Sequence, residues 1–156
     1  MNIMDREDIY EQVELSKVID IENIPFERLM DILTGFCLSE LLATDNMQKL
    51  NIDNDTEISI KNYALQGKAF CSNDITEEEL DKERGLAWNA HYELANGSIE
   101  SKLLRIVISC LYDRDSAEYD IYGSGEMLGV LFSLLLDLGP GYCKQFRYYI
   151  QNNLVL

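Results

Sequence analysis

The stretch "IPFERLMDILTGFCLSELLAT", residues 24–44, decides the fold class. Its apolar residues recur at intervals of three and four, which is the spacing of one face of an α-helix. Pro25 suits a first helical turn because its fixed φ is already helical. The spacing predicts a helix with a core-facing stripe made of Phe26, Leu29, Met30, Leu33, Phe36, Cys37, Leu41 and Leu42.

Helical signals continue on both sides of this stretch. Thr76 and Glu79 form a capping-box pattern, and that helix is expected to end at Gly97, with Ser98 capping the next one. Residues 57–72 could be a helix or a strand, because they open with an alternation. Residues 45–57 suggest a loop, or a short turn of helix followed by a loop. The pattern predicts an all-α fold, a single-domain compact bundle of five to six helices over residues 1–156.

The first helix is expected to lie on the surface. "DREDIYEQVELSKVID" offers Asp5 as an N-cap and acids in the first turn, where they favour the helix dipole. Only Ile9, Val13 and Val18 form an apolar stripe, and it is thin.

The chain is strongly acidic, with 28 acidic against 13 basic residues and a net charge of −15. Residues 1–57 hold 14 acids and 4 bases, net −10, and residues 106–137 hold 6 and 1, net −5. Such a field repels nucleic-acid phosphates and anionic lipids, so we expect neither as a partner. It attracts a basic protein or a metal cation.

"CLYDRDSAEYDIYGSGE", residues 110–126, interleaves tyrosines with five acidic side chains. Tyrosine buries a large contact area at a low entropy cost, and an acidic rim complements a basic surface. The stretch therefore predicts a surface for a basic protein, formed by Asp113, Asp115, Glu118, Tyr119, Asp120, Tyr122 and Glu126. The alternative is that the tyrosines pack inward and the acids are simply solvated.

Other chemistry has less support in the sequence. An EF-hand starting at Asp113 would need glycine and glutamate where Glu118 and Ser124 stand. His91 is the one histidine, and it suits a satisfied position at the edge of the core rather than a metal site. We expect no catalytic residues, no metal and no cofactor. A small metal-dependent or carboxylate-based enzyme and a helical adaptor that uses "MLGVLFSLLLDL" remain the alternative functions.

The cysteines and the apolar run indicate a cytoplasmic protein. Four widely spaced cysteines among apolar neighbours favour buried thiols in a reducing compartment: Cys37, Cys71, Cys110 and Cys143. Residues 1–8 lack the apolar region of a signal peptide. The run 127–136 is about half the length of a membrane span and is expected to be a core helix.

Two stretches resemble the helical colicin-nuclease immunity proteins. "TEEELDK", residues 76–82, is similar to the acidic helix that carries specificity in that family, and "DIYGSGE", residues 120–126, is similar to its tyrosine turn. The resemblance is to a functional class that also includes the immunity proteins of contact-dependent growth inhibition systems. It implies a toxin-contact role for Tyr122 and for a second acidic face made of Glu77, Glu78 and Glu79.

From these features we expect a bacterial, non-enzymatic immunity or inhibitor protein that is a monomer when free. It would neutralise a basic cognate toxin domain, such as a nuclease.

Overall fold

The structure is a computed structural model that describes residues 6–117 and 119–154, with backbone alone at 119–122. It is 77% helix, and the part of the chain that it describes contains no strand. The α-helices are α1 (Glu7–Ser16), α2 (Phe26–Phe36), α3 (Thr44–Lys49), α4 (Asn54–Cys71), α5 (Glu77–Glu93), α6 (Ile99–Ile108), α7 (Tyr119–Leu138) and α8 (Tyr142–Asn153). A π-helical turn covers Cys37–Leu41, and 3₁₀ turns cover Ile21–Asn23 and Ser109–Leu111.

The all-α prediction is confirmed, but the helix count is wrong, because the described residues form eight α-helices where five to six were expected. One reason is α3, a six-residue helix with Met47 buried, in a stretch for which the sequence indicated a loop or a short helical turn. The other is α4, a helix of 18 residues in the segment for which the sequence allowed either a helix or a strand.

The chain packs as two compact units. The terminal unit comprises Met1–Ile32 with Arg114–Leu156, and the central unit comprises Leu33–Asp113. The single domain over residues 1–156 stays a prediction.

In the terminal unit, α1 packs against α7 and α8, which also pack against each other. The apolar run predicted to be a core helix lies in α7, and Leu128, Phe132 and Leu135 are buried there. The Phe132 and Phe146 rings, 5.3 Å apart between centroids, join α7 to α8. The core helix in this segment is therefore confirmed.

The predicted apolar stripe of α1 is wrong. Val13 is 48% exposed and Val18 is 63% exposed, whereas Asp8, Glu11 and Leu15 are buried. Asp5, the expected N-cap, lies outside the described residues, and Arg6 holds that position. Helix α1 thus buries an acidic face, which hydrophobic periodicity cannot detect.

The acids of α1 have partners in their own unit, and the buried Asp8 forms an ion pair with Arg6 at 2.7 Å. The Glu7 carboxylate accepts hydrogen bonds from the backbone N–H of Gly141 at 3.0 Å and of Lys144 at 3.3 Å. It therefore caps the N-terminus of α8, whose own N-cap residue is a glycine. Glu11 forms an ion pair with Arg147. Burial acts to lower the pKa of Arg147, but the hydrogen bond and charge of Glu11 outweigh it and raise that pKa.

In the central unit, α4 packs against α5, α6 and the 3₁₀ turn Ser109–Leu111. Gly67 makes the last of these contacts possible. A Cβ on Gly67 would lie 2.8 Å from the carbonyl oxygen of Cys110, so the close approach excludes any larger residue.

The predicted caps of the central unit are confirmed. Thr76 and Glu79 form a reciprocal capping box, and the Ser98 hydroxyl accepts a hydrogen bond from the N–H of Ser101. Helix α5 ends at Glu93, before the expected position, although Gly97 does have a positive φ of 79°.

Three of the four cysteines are buried as predicted, and Cys71 is half-buried. Within the described residues, no helix has both the length and the apolarity to cross a bilayer.

Candidate partner-binding groove

Helix α7 is kinked near its start. Gly123 has φ 74° and ψ 178°, a conformation that is open to glycine and strained for other residues. The next residue, Ser124, is fully buried and donates its hydroxyl hydrogen bond to the carbonyl of Ile24. The "GSG" sequence at residues 123–125 thus forms a kink that is fixed to the chain ahead of α2.

Beyond the kink, a groove runs between α7 and the segment from α1 to the 3₁₀ turn Ile21–Asn23. It consists of two adjoining hollows of about 800 and about 500 Å³ that share Gln12, Gly125 and Glu126. The other lining residues are Val13, Ser16, Ile19, Asp20, Ile21, Glu22, Gly129, Val130, Ser133 and Leu134. The groove lies wholly within the terminal unit.

The groove has an acidic end and an apolar end. Asp20, Glu22 and Glu126 are exposed at the first hollow, and none of the described residues that line either hollow is basic. The second hollow extends along α7 past Val130, which is 50% exposed. Exposed carboxylates beside exposed valines give a surface that fits a cationic and partly apolar group.

Two glycines of α7 allow side chains from the opposite wall of the groove to lie against the helix. A Cβ on Gly125 would fall on the carboxylate of Glu22, and a Cβ on Gly129 would lie 3.7 Å from the side-chain oxygen of Gln12. The flexible ends of two long side chains therefore cover α7 where it has no side chains of its own.

The structure brings one predicted partner-binding residue into this groove, Glu126. Asp115 is exposed in the same unit, and Asp113, assigned to the central unit, is half-buried. Glu118 lies outside the described residues, as do the side chains of Tyr119, Asp120 and Tyr122, so their part in a surface stays a prediction.

The second predicted acidic face lies in the first turn of α5. Glu77, Glu78 and Glu79 are all exposed. The Glu79 carboxylate also accepts hydrogen bonds from the Thr76 N–H and hydroxyl at 3.3 and 3.2 Å. Its charge therefore stabilises the helix start whether or not a partner is bound.

Tyr112, the first tyrosine of residues 110–126, packs within the central unit. Tyr112 accepts a hydrogen bond from Trp88 Nε1 at 3.2 Å, and the Arg84 guanidinium lies 4.7 Å from its ring centroid. For this tyrosine, the inward-packing alternative describes the structure.

Other candidate chemistry is occupied by structural contacts. His91 Nε2 lies 3.1 Å from the Ser101 hydroxyl, whereas its buried Nδ1 has no hydrogen-bond partner among the described residues, so the predicted satisfied position is confirmed for one ring nitrogen alone. The Cys110 thiol donates a hydrogen bond to Cys37 over 3.7 Å, and this bond together with burial raises the pKa of Cys37 well above its usual range. Thiols of this kind are poor nucleophiles. Among the described side chains, no cluster of three or more acidic, cysteine or histidine residues could hold a metal ion.

Sequence reasoning missed most of the groove. Val13 was assigned to the thin apolar stripe of α1, and Asp20 and Glu22 carried no motif. A usable signal was present in α7, where Gly125 and Gly129 are four residues apart on the face away from the leucine stripe.

No protein-family model, no curated protein and no solved structure matches this chain.

Proposed function

We propose that the protein is an inhibitor of the immunity class, which binds a cationic toxin domain through the acidic groove and blocks that domain's activity. The observation that carries the proposal is the groove itself, which has three exposed carboxylates at one end, exposed valines on its walls and no basic residue among its described lining.

The charge of the whole chain supports the same partner class. A net charge of −15 accelerates encounter with a cation and opposes binding to nucleic acid. The acids of α1 add little to this attraction locally, because Glu11 is paired with Arg147 and Glu7 caps α8. The steering field near the groove therefore comes from the carboxylates that remain exposed, at Asp20, Glu22 and Glu126.

The predicted surface residues extend the proposed contact. Asp115 and Glu126 are exposed in the unit that holds the groove, and the tyrosine turn around Tyr122 is adjacent to Glu126 in sequence. Tyrosine anchors would slow dissociation, whereas the carboxylates would mainly speed association.

The test starts from a partner captured with the tagged chain in its native cell and identified by mass spectrometry. We expect a basic protein that arrests growth when expressed alone, and growth that resumes when this chain is co-expressed. The association rate should fall steeply as salt rises. An acidic partner, or a partner whose toxicity persists at saturating inhibitor, would overturn the proposal.

A helical adaptor is the second candidate, because part of the "MLGVLFSLLLDL" segment lines the same groove. An adaptor would bind its partner and leave the partner's activity intact. The co-expression assay therefore separates the two functions.

A further inference from the structure

We infer that the groove receives a single amphipathic α-helix, with its lysines or arginines at the end that lies against Asp20, Glu22 and Glu126. The inference rests on the proposed function and specifies the partner's secondary structure and its orientation at the same site. Three features of the groove carry it.

The first feature is the chemistry of the walls. The groove is lined mainly by two α-helices, α1 and α7, and helices bond most of their backbone N–H and C=O groups internally. An extended segment lying between them would find no strand edge to pair with, and its buried backbone groups would stay unsatisfied. A helix satisfies its backbone internally, so it is the form that can enter an apolar groove of this kind.

The second feature is the length. The α7 wall runs from Gly125 to Leu134, which at 1.5 Å per residue is about 13 Å, or roughly two and a half helical turns. Two small residues one turn apart, Gly125 and Gly129, allow another helix to approach closely once the ends of Glu22 and Gln12 swing aside. Both covering groups are the ends of flexible side chains, so this displacement disturbs no backbone.

The third feature is the charge gradient. The carboxylates lie at the kink end, whereas Gly129, Val130, Ser133 and Leu134 form an uncharged end. A bound helix would place its cations beside the carboxylates and an apolar stripe along the uncharged end. The partial positive charge of a helix N-terminus favours that terminus at the acidic end.

The probe for this inference is a fluorescein-labelled synthetic peptide of roughly 14 residues with a leucine stripe and three lysines in its first two turns. Binding is followed by fluorescence anisotropy at low salt against the full chain. One control peptide carries a central proline, which breaks the helix, and another has glutamates in place of the lysines.

The protein variants fill the groove without changing its charge. Gly129→Leu should lower the affinity for the lysine peptide about tenfold or more. The matched control Gly85→Leu changes a helix-interior glycine with nothing within 4 Å of its added Cβ, and should leave the affinity unchanged. Val130→Asn changes an exposed position and should also lower the affinity for the lysine peptide. It replaces Gly129→Leu as the test if that variant fails to fold.

The expected result is binding of the lysine peptide alone and its loss in the groove-filling variants. Equal binding of the proline peptide, no binding of the lysine peptide, or unchanged affinity in Gly129→Leu and Val130→Asn would overturn the inference. The inference about the helix can fail while the proposed function stands. If a captured basic partner is weakened by Glu22→Gln with Glu126→Gln and is unaffected by Gly129→Leu, the partner class stands and the helix does not.

Discussion

Replacing Gly67 by alanine tests the closest packing in the central unit. The added Cβ would lie 2.8 Å from the Cys110 carbonyl oxygen and 3.1 Å from the Cys110 Cβ, whereas ordinary contacts begin near 3.4 Å. Helix α4 and the 3₁₀ turn Ser109–Leu111 must then separate by roughly half an ångström. Overpacking of this kind costs about 1–3 kcal/mol, and alanine recovers about 0.5–1 kcal/mol as the better helix former.

We therefore expect Gly67→Ala to lower the free energy of unfolding by about 1–2 kcal/mol. Gly85→Ala in α5 is the matched control, because nothing lies within 4 Å of the added Cβ. It should raise the free energy of unfolding by about 0.5–1 kcal/mol. For a chain of this size, 1 kcal/mol corresponds to roughly 2–4 °C in Tm, so the two variants should melt several degrees apart.

Trp88 is the one tryptophan of the chain and lies in α5, so its fluorescence reports on the unit that contains both glycines. Urea unfolding followed at Trp88 gives the free energy, and an unchanged m-value shows that the unfolding reaction is the same. If Gly67→Ala is as stable as Gly85→Ala, helix α4 does not approach the Cys110 carbonyl closely enough for an added Cβ to overlap it.

Three further predictions concern the terminal unit, one helix start and one thiol. Glu11→Ala leaves the half-buried Arg147 without its carboxylate and should cost about 1–3 kcal/mol in urea unfolding, part of which Arg147→Met restores in the double variant; additive losses would contradict the pairing. Thr76→Ala removes the capping box of α5 and should cost about 1 kcal/mol, and no loss of helix stability in the same assay would refute that role. Burial, with nearby carboxylates, raises the pKa of Cys143 from 9.0 to about 12, so at pH 8 mass spectrometry should find Cys71 alkylated long before Cys143. Because the thiol ionises more readily in the unfolded chain, its contribution to stability is complete below pH 9 and is lost as the pH rises toward 12; labelling of both thiols at one rate would contradict the burial.

The helices that the sequence predicted best are those whose buried face is apolar. All eight residues of the stripe around α2 are buried, from Phe26 to Leu42. The capping box at Thr76 was equally clear, because both of its partners lie within four residues. Local patterns with local partners can be interpreted without a structure.

Helix α1 could not be predicted in this way. Its buried face carries two acids, Asp8 and Glu11, and the Arg147 that pairs with Glu11 lies 136 residues away in the sequence. Acids without a visible partner look solvated, so the thin stripe through Val13 was taken for the packed face of a surface helix. The groove was missed for the same reason, because its walls come from the two ends of the chain.

The sequence of α4 allowed either a helix or a strand, because apolar and polar residues alternate at its start. This alternation does not correspond to a buried and an exposed face. Ile60 is buried, but Ile58 is 66% exposed, so the period of two at its start does not mark a strand face. The helix is positioned by Gly67 and Ala64 against other elements of the central unit. Small residues carry little hydrophobic signal, although they permit the closest contacts.

The most direct test of the account measures the association rate of the captured basic partner at low salt. The double variant Glu22→Gln with Glu126→Gln removes two carboxylates from the groove, and Glu40→Gln with Glu93→Gln removes two exposed carboxylates from the central unit. Both variants change the net charge from −15 to −13. We predict that the groove variant associates roughly tenfold more slowly, and that the control variant stays close to wild type. Equal rates for the two variants would mean that charge acts only through its total, and the groove would not be the binding site.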